Sequence, residues 1–323
     1  MTTYSAVRTT GIYCRPGCGA TPSAENVRTF ELAAAAEAAG YRACLRCRPY
    51  RVAGPVGEAP ELVCQAVRLI IEGALDDGTE AAVAARLGLS ARHLRRLFHE
   101  HLGATPDQFA RSRRAHFARR LLDDTDLSIT DVAFASGYGS LRQFNRAMRE
   151  IFRFPPRELR DRRRRADRLA TDGGLVLRLP VDPSYDWPRV LEVLRGRAIP
   201  GVESVVDGVY RRTIVLDGAP GVLEIGPGGP DHLLLRAHLP FWEGVIHVVE
   251  RANRLVGVDT GVPGGWAPFE DATRVASSPA ELDRLVRAHG TPVPGLPHGL
   301  THLFPSPEAV GRPDYASASF NSP

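Results

Sequence analysis

The sequence predicts a multi-domain chain: a small α/β metal-binding domain, an all-α domain with two helix-turn-helix units, then an α+β domain with an antiparallel sheet. Three observations predict it. Four of the five cysteines fall in two close pairs before residue 48; one helical pattern occurs twice between residues 79 and 152; and from Leu175 onward apolar residues alternate with period two. At 323 residues the chain is long enough for two or three domains, each burying its own core.

The first domain is defined by Cys14-x3-Cys18 and, after 25 intervening residues, Cys44-x2-Cys47. This is the spacing of a closed zinc site rather than of disulfides. Short loops let two sulfurs from one turn reach the same ion, and four thiolates complete a tetrahedron at about 2.3 Å. On spacing alone the zinc either holds a small domain together or activates a sulfur, because ligation keeps a thiol in its nucleophilic thiolate form. Cys64 sits in the apolar run Leu62–Ile71 and reads as a small core residue. Cysteines reserved for metal fit a reducing cytoplasm. No run of 18 apolar residues and no signal-peptide pattern occurs, so a soluble, cytoplasmic protein with no membrane partner is expected.

The residues around these cysteines are Val7-Arg8-Thr9-Thr10-Gly11-Ile12-Tyr13-Cys14-Arg15-Pro16-Gly17-Cys18, then Glu25-Asn26-Val27, then Gly40-Tyr41-Arg42-Ala43-Cys44-Leu45-Arg46-Cys47-Arg48-Pro49. This pattern closely resembles the N-terminal zinc domain of the Ada family, which repairs methylphosphotriesters in DNA. The resemblance implies that Cys14 is the irreversible methyl acceptor, with Cys18, Cys44 and Cys47 as the other ligands of Zn2+. It also implies that Thr10 and Arg42 contact the phosphate, a group that a guanidinium suits well. Two departures stand out: Thr21 occupies a position where the family often has arginine, and little chain precedes the Val7–Thr10 strand, which points to a start codon further upstream.

Charge explains what such a transfer would do. Four thiolates on one zinc carry a summed formal charge of −2, which suits attack on a methyl carbon by in-line displacement with a phosphodiester anion leaving. Methylation takes the site to −1. Repulsion from the DNA backbone then falls, and DNA binding should tighten, most visibly at low salt.

The net charge of +4 hides a strong asymmetry, for Arg86 to Arg168 holds 20 arginines against 10 acidic residues, +10 in all, leaving −6 for the rest. The chain has no lysine, so the choice of arginine carries no information, whereas its clustering does. After the linker Arg51–Gly57, a helix over Pro60–Glu72 precedes the first helix pair. Thr79 is its N-cap, Gly88 the turn and Ser90 the cap of the next helix, Ala91–His101. That helix places Leu94, Leu97 and Phe98 on one face and Arg92, His93, Arg95, Arg96 and His99 on the others. The pattern returns as Ser128–Tyr138 leading through Gly139 and Ser140 into Leu141–Phe152, which offers Arg142, Gln143, Asn145, Arg146 and Arg149.

The two units, joined by the long helix Pro106–Leu122 and closed by Phe152-Arg153-Phe154-Pro155-Pro156, resemble the AraC-type DNA-binding domain over Glu58–Arg165. The resemblance implies two reading helices in successive major-groove segments about 34 Å apart. Arginine to guanine and Gln or Asn to adenine are the favoured base contacts, with other arginines on phosphates. The expected partners are double-stranded DNA, as damaged backbone and as promoter operator, and RNA polymerase. Arg160–Arg168 is expected to end a helix and begin a charged connector.

Strands are expected over 175–180, 202–206, 209–216, 221–225 and 231–237, with helices over Trp187–Gly196 and Phe241–Leu255. Tyr185-Asp186-Trp187, Arg197–Glu203 and Tyr210-Arg211-Arg212-Thr213 resemble the N-terminal domain of AlkA-type 3-methyladenine DNA glycosylases. The stretch Val262–Glu270 resembles the entrance to their catalytic domain, but Arg274-Val275-Ala276 runs directly into Ser277-Ser278-Pro279. No catalytic aspartate follows; Asp314 precedes a Ser-rich tail that reads as disordered. Base excision needs a carboxylate beside a flipped nucleotide, so no excision is expected, and the lost neighbour is expected to leave an exposed face. The Pro-Cys-His-Arg site for O6-methylguanine repair is also missing.

The expected domains are therefore 1–52 (zinc), 58–165 (AraC-type), 173–258 (AlkA N-terminal-like) and 259–323 (glycosylase remnant and tail). The expected function is a single-turnover methyltransferase from DNA methylphosphotriester to its own cysteine that then activates alkylation-response genes. Two alternatives stand beside it: a non-enzymatic AraC-type regulator with structural zinc, and a 3-methyladenine glycosylase with an appended regulatory region.

Overall fold

A computed structural model describes residues 3–19, 22–51, 59–164, 167–169, 171, 174–258, 263–266, 270, 273–274 and 278–311. Thr21, the linker 52–57, Arg165, Val262, the 267–269 and 275–277 segments and the tail with Asp314 lie outside them. The chain divides into two compact units, residues 1–168 with 242–250, and residues 169–241 with 251–323.

The first unit begins with a four-stranded sheet of β1 (Tyr4–Val7), β2 (Ile12–Cys14), β3 (Val27–Phe30) and β4 (Arg42–Ala43) in the order β3-β1-β2-β4. Gly11, at φ 64°, makes the tight return from β1 to β2. Helix α1 (Ala33–Ala38) was absent from the sequence expectation. Its alanines favour helix and are small enough to bury closely, as Ala34, Ala35 and Ala36 do. β2 and β4 run parallel, with Ile12 opposite Arg42 and Tyr13 opposite Ala43.

Seven further helices follow: α2 (Glu61–Ile71), α3 (Glu80–Arg86), α4 (Ala91–Leu102), α5 (Pro106–Asp124), α6 (Ile129–Ala135), α7 (Leu141–Phe152) and α8 (Pro156–Asp161). The expected caps are present. Thr79, Ser90, Ser128 and Ser140 each accept the N3 backbone N–H of their helix, and Thr105 and Ser128 make full capping boxes. The turns at Gly88 (φ 68°) and Gly137 (φ 77°) repeat one another. So do the left-handed ends of α4 and α7, although the first is Gly103 and the second Arg153. Helix α5 is central, with Phe109, Ala110, Ala115, Phe117, Ala118, Leu121 and Leu122 all buried. One hydrophobic core joins Leu32, Ala34 and Ala35 to Val63, Val67, Leu94, Phe98, Leu102 and Phe109, so the metal-binding segment and the first helix-turn-helix share an interior.

The second unit is built on a five-stranded antiparallel sheet of β5 (Leu175–Pro180), β6 (Glu203–Val206), β7 (Val209–Leu216), β8 (Ala219–Gly229) and β9 (His232–His238) in the order β5-β9-β8-β7-β6. Asp207-Gly208 and Asp217-Gly218 all have positive φ and close the β6-β7 and β7-β8 hairpins, the conformation that Asp-Gly favours. Helix α9 spans Trp187–Gly196, and α10, Val245–Val256, has its first residues among 242–250 of the first unit and its last in the second.

The expected exposed face is covered where the described residues allow a test. Helix α11 (Pro279–His289) sets Leu282 and Val286 against Ile199 and Val202, with Phe304 packed on the cluster. The short pair β10 (Thr291–Pro292) and β11 (His302–Leu303) is tied on by Thr213 Oγ1 donating to the His302 carbonyl at 2.7 Å. Arg212, 1% exposed, binds Glu203 at 2.9 Å and Glu270 at 2.8 Å, and Arg274 adds a second cation to Glu203 at 2.6 Å. Residues after 259 therefore complete this unit's core.

Candidate metal centre and nucleic-acid interface

The parallel pairing of β2 and β4 brings Cys14 and Cys44 together at the ends of adjacent strands, where the Cys44 N–H donates to the Tyr13 carbonyl at 3.0 Å. Each strand then enters a tight turn that returns a second sulfur. Gly17 (φ 74°) and the Cys18 N–H to Arg15 carbonyl bond of 3.3 Å shape the first; the Arg48 N–H to Cys44 carbonyl bond of 3.0 Å shapes the second. The Sγ atoms of Cys14, Cys18, Cys44 and Cys47 all lie within 4.8 Å of one another. A tetrahedron with 2.3 Å metal–sulfur bonds has edges of about 3.8 Å, so the four sulfurs fit a zinc-sized ion.

Their chemistry asks for a cation. Burial pushes the Cys14 thiol well up, and Cys18, Cys44 and Cys47 beside it push it further. Burial likewise raises Cys47 to about 12, against the Arg15 backbone N–H that favours its thiolate. Without a metal Cys14 and Cys47 hold their protons at neutral pH. Arg46, missed in the sequence, places its guanidinium 3.9 Å from the Cys18 sulfur; an arginine interleaved between ligand cysteines was the available signal. Cys14 is 7% exposed, whereas Cys18, Cys44 and Cys47 are half-buried.

Thr10 lies exposed in the turn before β2, its hydroxyl 3.4 Å from the Val7 carbonyl. Arg42 is half-buried, opens β4 two residues before Cys44, and sets its guanidinium 3.5 Å from the Ala43 carbonyl. Its main-chain N–H donates to the Gly11 carbonyl at 2.8 Å, so Arg42 and the Thr10-Gly11 turn lie side by side where β2 and β4 begin, and Cys14 and Cys44 follow at the other end of the same strand pair.

On helices α4 and α7 eight candidate contacts fall into two groups. Arg92 and Arg96 on α4, and Arg142, Gln143 and Arg149 on α7, are exposed. Three others are engaged within the protein: Arg95 pairs with Glu80, Arg146 with Glu150 at 2.7 Å, and the Asn145 amide donates to the Leu141 carbonyl at 2.8 Å. The buried faces carry Leu94, Phe98 and Leu102 on α4 and Phe144, Ala147, Met148, Ile151 and Phe152 on α7. Among the described residues no helix is long and apolar enough to cross a membrane.

Comparison with known proteins agrees with this geometry. Residues 2–50 match the metal binding domain of Ada, residues 83–162 a helix-turn-helix domain, and residues 176–265 the AlkA N-terminal domain. The probable bifunctional transcriptional activator/DNA repair enzyme AlkA of Mycobacterium tuberculosis is 36% identical over 349 residues, covering 96% of this chain and 70% of its own length. The bifunctional transcriptional activator/DNA repair enzyme Ada of Escherichia coli is 33% identical over 156 residues, covering 48% of this chain and 43% of its own. The corresponding AdaA of Bacillus subtilis is 30% identical over 142 residues, covering 44% and 66%. The chain belongs to this family of bifunctional transcriptional activator and DNA repair proteins, and combines an Ada-type metal-binding domain, an AraC-type DNA-binding domain and an AlkA-type N-terminal domain.

Proposed function

We propose that the protein repairs methylphosphotriesters in DNA by transferring the methyl group to Cys14, and that the methylated protein activates alkylation-response genes. The observation that carries this reading is the convergence of four sulfurs, two of them at the end of the paired strands β2 and β4 that begin beside Thr10 and Arg42. Zinc, when bound, keeps the sulfurs as thiolates at neutral pH. Arg42 and Thr10 bind the phosphate and hold its methyl group toward Cys14. The sulfur lone pair forms the S–C bond as the C–O bond breaks in line, and the electron pair of that bond leaves on the phosphodiester oxygen. The thioether is not converted back, so each chain turns over once.

Recognition and consequence follow from charge. The exposed Arg92, Arg96, Arg142, Gln143 and Arg149 contact two successive major-groove segments of operator DNA. Neutralising one thiolate lowers repulsion between the cluster and the backbone, so the methylated protein binds DNA more tightly and recruits RNA polymerase. Cys14 is the least exposed of the four ligands, which also favours a second reading, a regulator whose zinc is structural. Incubation with methylphosphotriester duplex followed by peptide mass spectrometry separates them: the proposal expects one methyl on Cys14, and unmodified Cys14 leaves only the structural role. Release of free 3-methyladenine would instead support a glycosylase.

A further inference from the structure

The metal-binding segment carries two buried polar links to helix α5, the helix that joins the two DNA-reading units. The first starts at Tyr13, fully buried and immediately before Cys14. Its hydroxyl donates to Glu37 Oε1 at 2.7 Å and lies 3.1 Å from Nε2 of His116 on α5, which is itself 2.6 Å from the same Glu37 oxygen. The second starts at Arg48, immediately after Cys47. Arg48 pairs with Asp123 of α5 at 3.5 Å and with Asp167 at 2.6 Å. Tyr50 donates to Asp123 at 2.9 Å and accepts from Arg119 Nε at 3.1 Å, while Arg119 also pairs with Asp123 at 2.8 Å and donates to the Leu159 carbonyl at 2.6 Å. Arg119 is 1% exposed and Asp123 is fully buried.

Backbone conformation marks the same seam. Arg48 (φ 51°) and Arg153 (φ 66°) are held in the left-handed region that disfavours a side chain. Arg48 makes the pairs just described, and the Arg153 guanidinium donates to the Gly40 carbonyl at 3.4 Å, reaching from the end of α7 to the metal-binding segment. Surrounding contacts over-determine both residues. Tyr50 stacks edge-on with His116 and with Phe152, the last residue of α7, at 6.2 and 5.8 Å between ring centres.

We propose that His116 of helix α5 is a positioning residue for the metal centre, holding through Tyr13 the strand that carries Cys14, so that metal occupancy and the order of α5 are thermodynamically linked. The inference requires only that the four cysteines hold a metal, not that Cys14 accepts a methyl group. Groups that orient the immediate ligands of a metal affect its affinity roughly 10- to 100-fold. Linkage is reciprocal: whatever α5 contributes to metal binding, the bound metal returns to α5 as order. The reading helices α4 and α7 both pack against α5, so a change in the order of α5 reaches both.

The test uses the full chain loaded with Zn2+ and, separately, with Co2+ as a spectroscopic probe. His116→Ala should weaken Zn2+ retention against a competing chelator at least about tenfold and shift the tetrahedral Co2+ absorption envelope. His116→Gln, which keeps a hydrogen-bonding group at the seam, should recover most of both. Tyr13→Phe, which removes one hydroxyl and keeps the ring, should move them in the same direction as His116→Ala and serves if that variant misfolds. Stripping the metal from the unaltered protein should speed amide exchange over residues 106–124, and this acceleration should shrink in Tyr13→Phe. Unchanged metal affinity and Co2+ spectrum in folded Tyr13→Phe, a His116→Gln no better than His116→Ala, or α5 exchange indifferent to metal removal would each overturn the proposal.

Discussion

At Cys14 the balance between burial and charge decides the chemistry. In the metal-free fold, burial raises the thiols of Cys14 and Cys47, so that fold is favoured while they are protonated. It should lose stability as pH climbs past about 8.5, where the same thiols ionise freely in the unfolded chain. Thermal unfolding with excess chelator at neutral and alkaline pH measures this; the metal-loaded protein, whose sulfurs are already deprotonated, should show little change over that range. Arg42 makes a sharper prediction. A charge-assisted phosphate contact contributes about 1.5–3 kcal/mol, so Arg42→Ala should slow methyl transfer roughly 10- to 100-fold with metal content unchanged. Equal rates would remove Arg42 from the phosphate site. The same reasoning ranks the reading-helix arginines: Arg142 is exposed, whereas Arg146 already pairs with Glu150, so Arg142→Ala should weaken operator binding more than Arg146→Ala. The cysteine set was legible because metal geometry demands short ligand loops. The engagement of Arg95, Arg146 and Asn145 was not, because an exposed polar position reveals nothing about which neighbour will bond it.

The helices announce themselves by their ends. Thr79, Ser90, Ser128 and Ser140 satisfy the backbone donors that the first turn leaves open, and each stands before an apolar run at helical spacing. Helix α1 lacks such signals; Leu32 caps it without a side-chain bond, and its five alanines carry no amphipathic pattern. Helix α11 has a full capping box at Ser278 and Glu281, yet its place in the second unit depends on Ile199 and Val202, about eighty residues earlier in sequence. The buried ionic cluster in that unit gives an element-level prediction. Burial opposes ionisation of Glu203, but Arg212, Arg274, Tyr210 and the Ile199 N–H outweigh it and hold the carboxyl below its ordinary range. The stability it contributes is therefore full above the free glutamate pKa of about 4.3 and is lost as pH falls through its lower folded value. Glu203→Gln should destabilise this unit by roughly 3–5 kcal/mol at neutral pH, by leaving Arg212 and Arg274 under-compensated, and should flatten its acid unfolding. A stability change below about 1 kcal/mol would show that Glu270 alone suffices.

Across the whole molecule, the four-cysteine cluster and both helix-turn-helix units share the first unit. The positive charge of residues 86–168 suits a polyanionic partner, and on the proposed reading the negative charge of a zinc-loaded cysteine cluster would work against it. The domain types were legible in sequence, since charge and cysteine spacing are local properties. The common core of Leu32, Ala34, Ala35, Phe98 and Phe109 was not, nor was Tyr13 meeting His116 across 103 residues, because packing partners this distant leave no local periodicity. The most direct test of the central claim is peptide mass spectrometry of zinc-loaded protein after exposure to excess duplex carrying backbone methylphosphotriesters. The account predicts one methyl group per chain, found on Cys14 and absent from Cys14→Ser. A methyl on Cys18, Cys44 or Cys47 instead, more than one phosphotriester repaired per chain, or no modification of a fully metallated protein would contradict it.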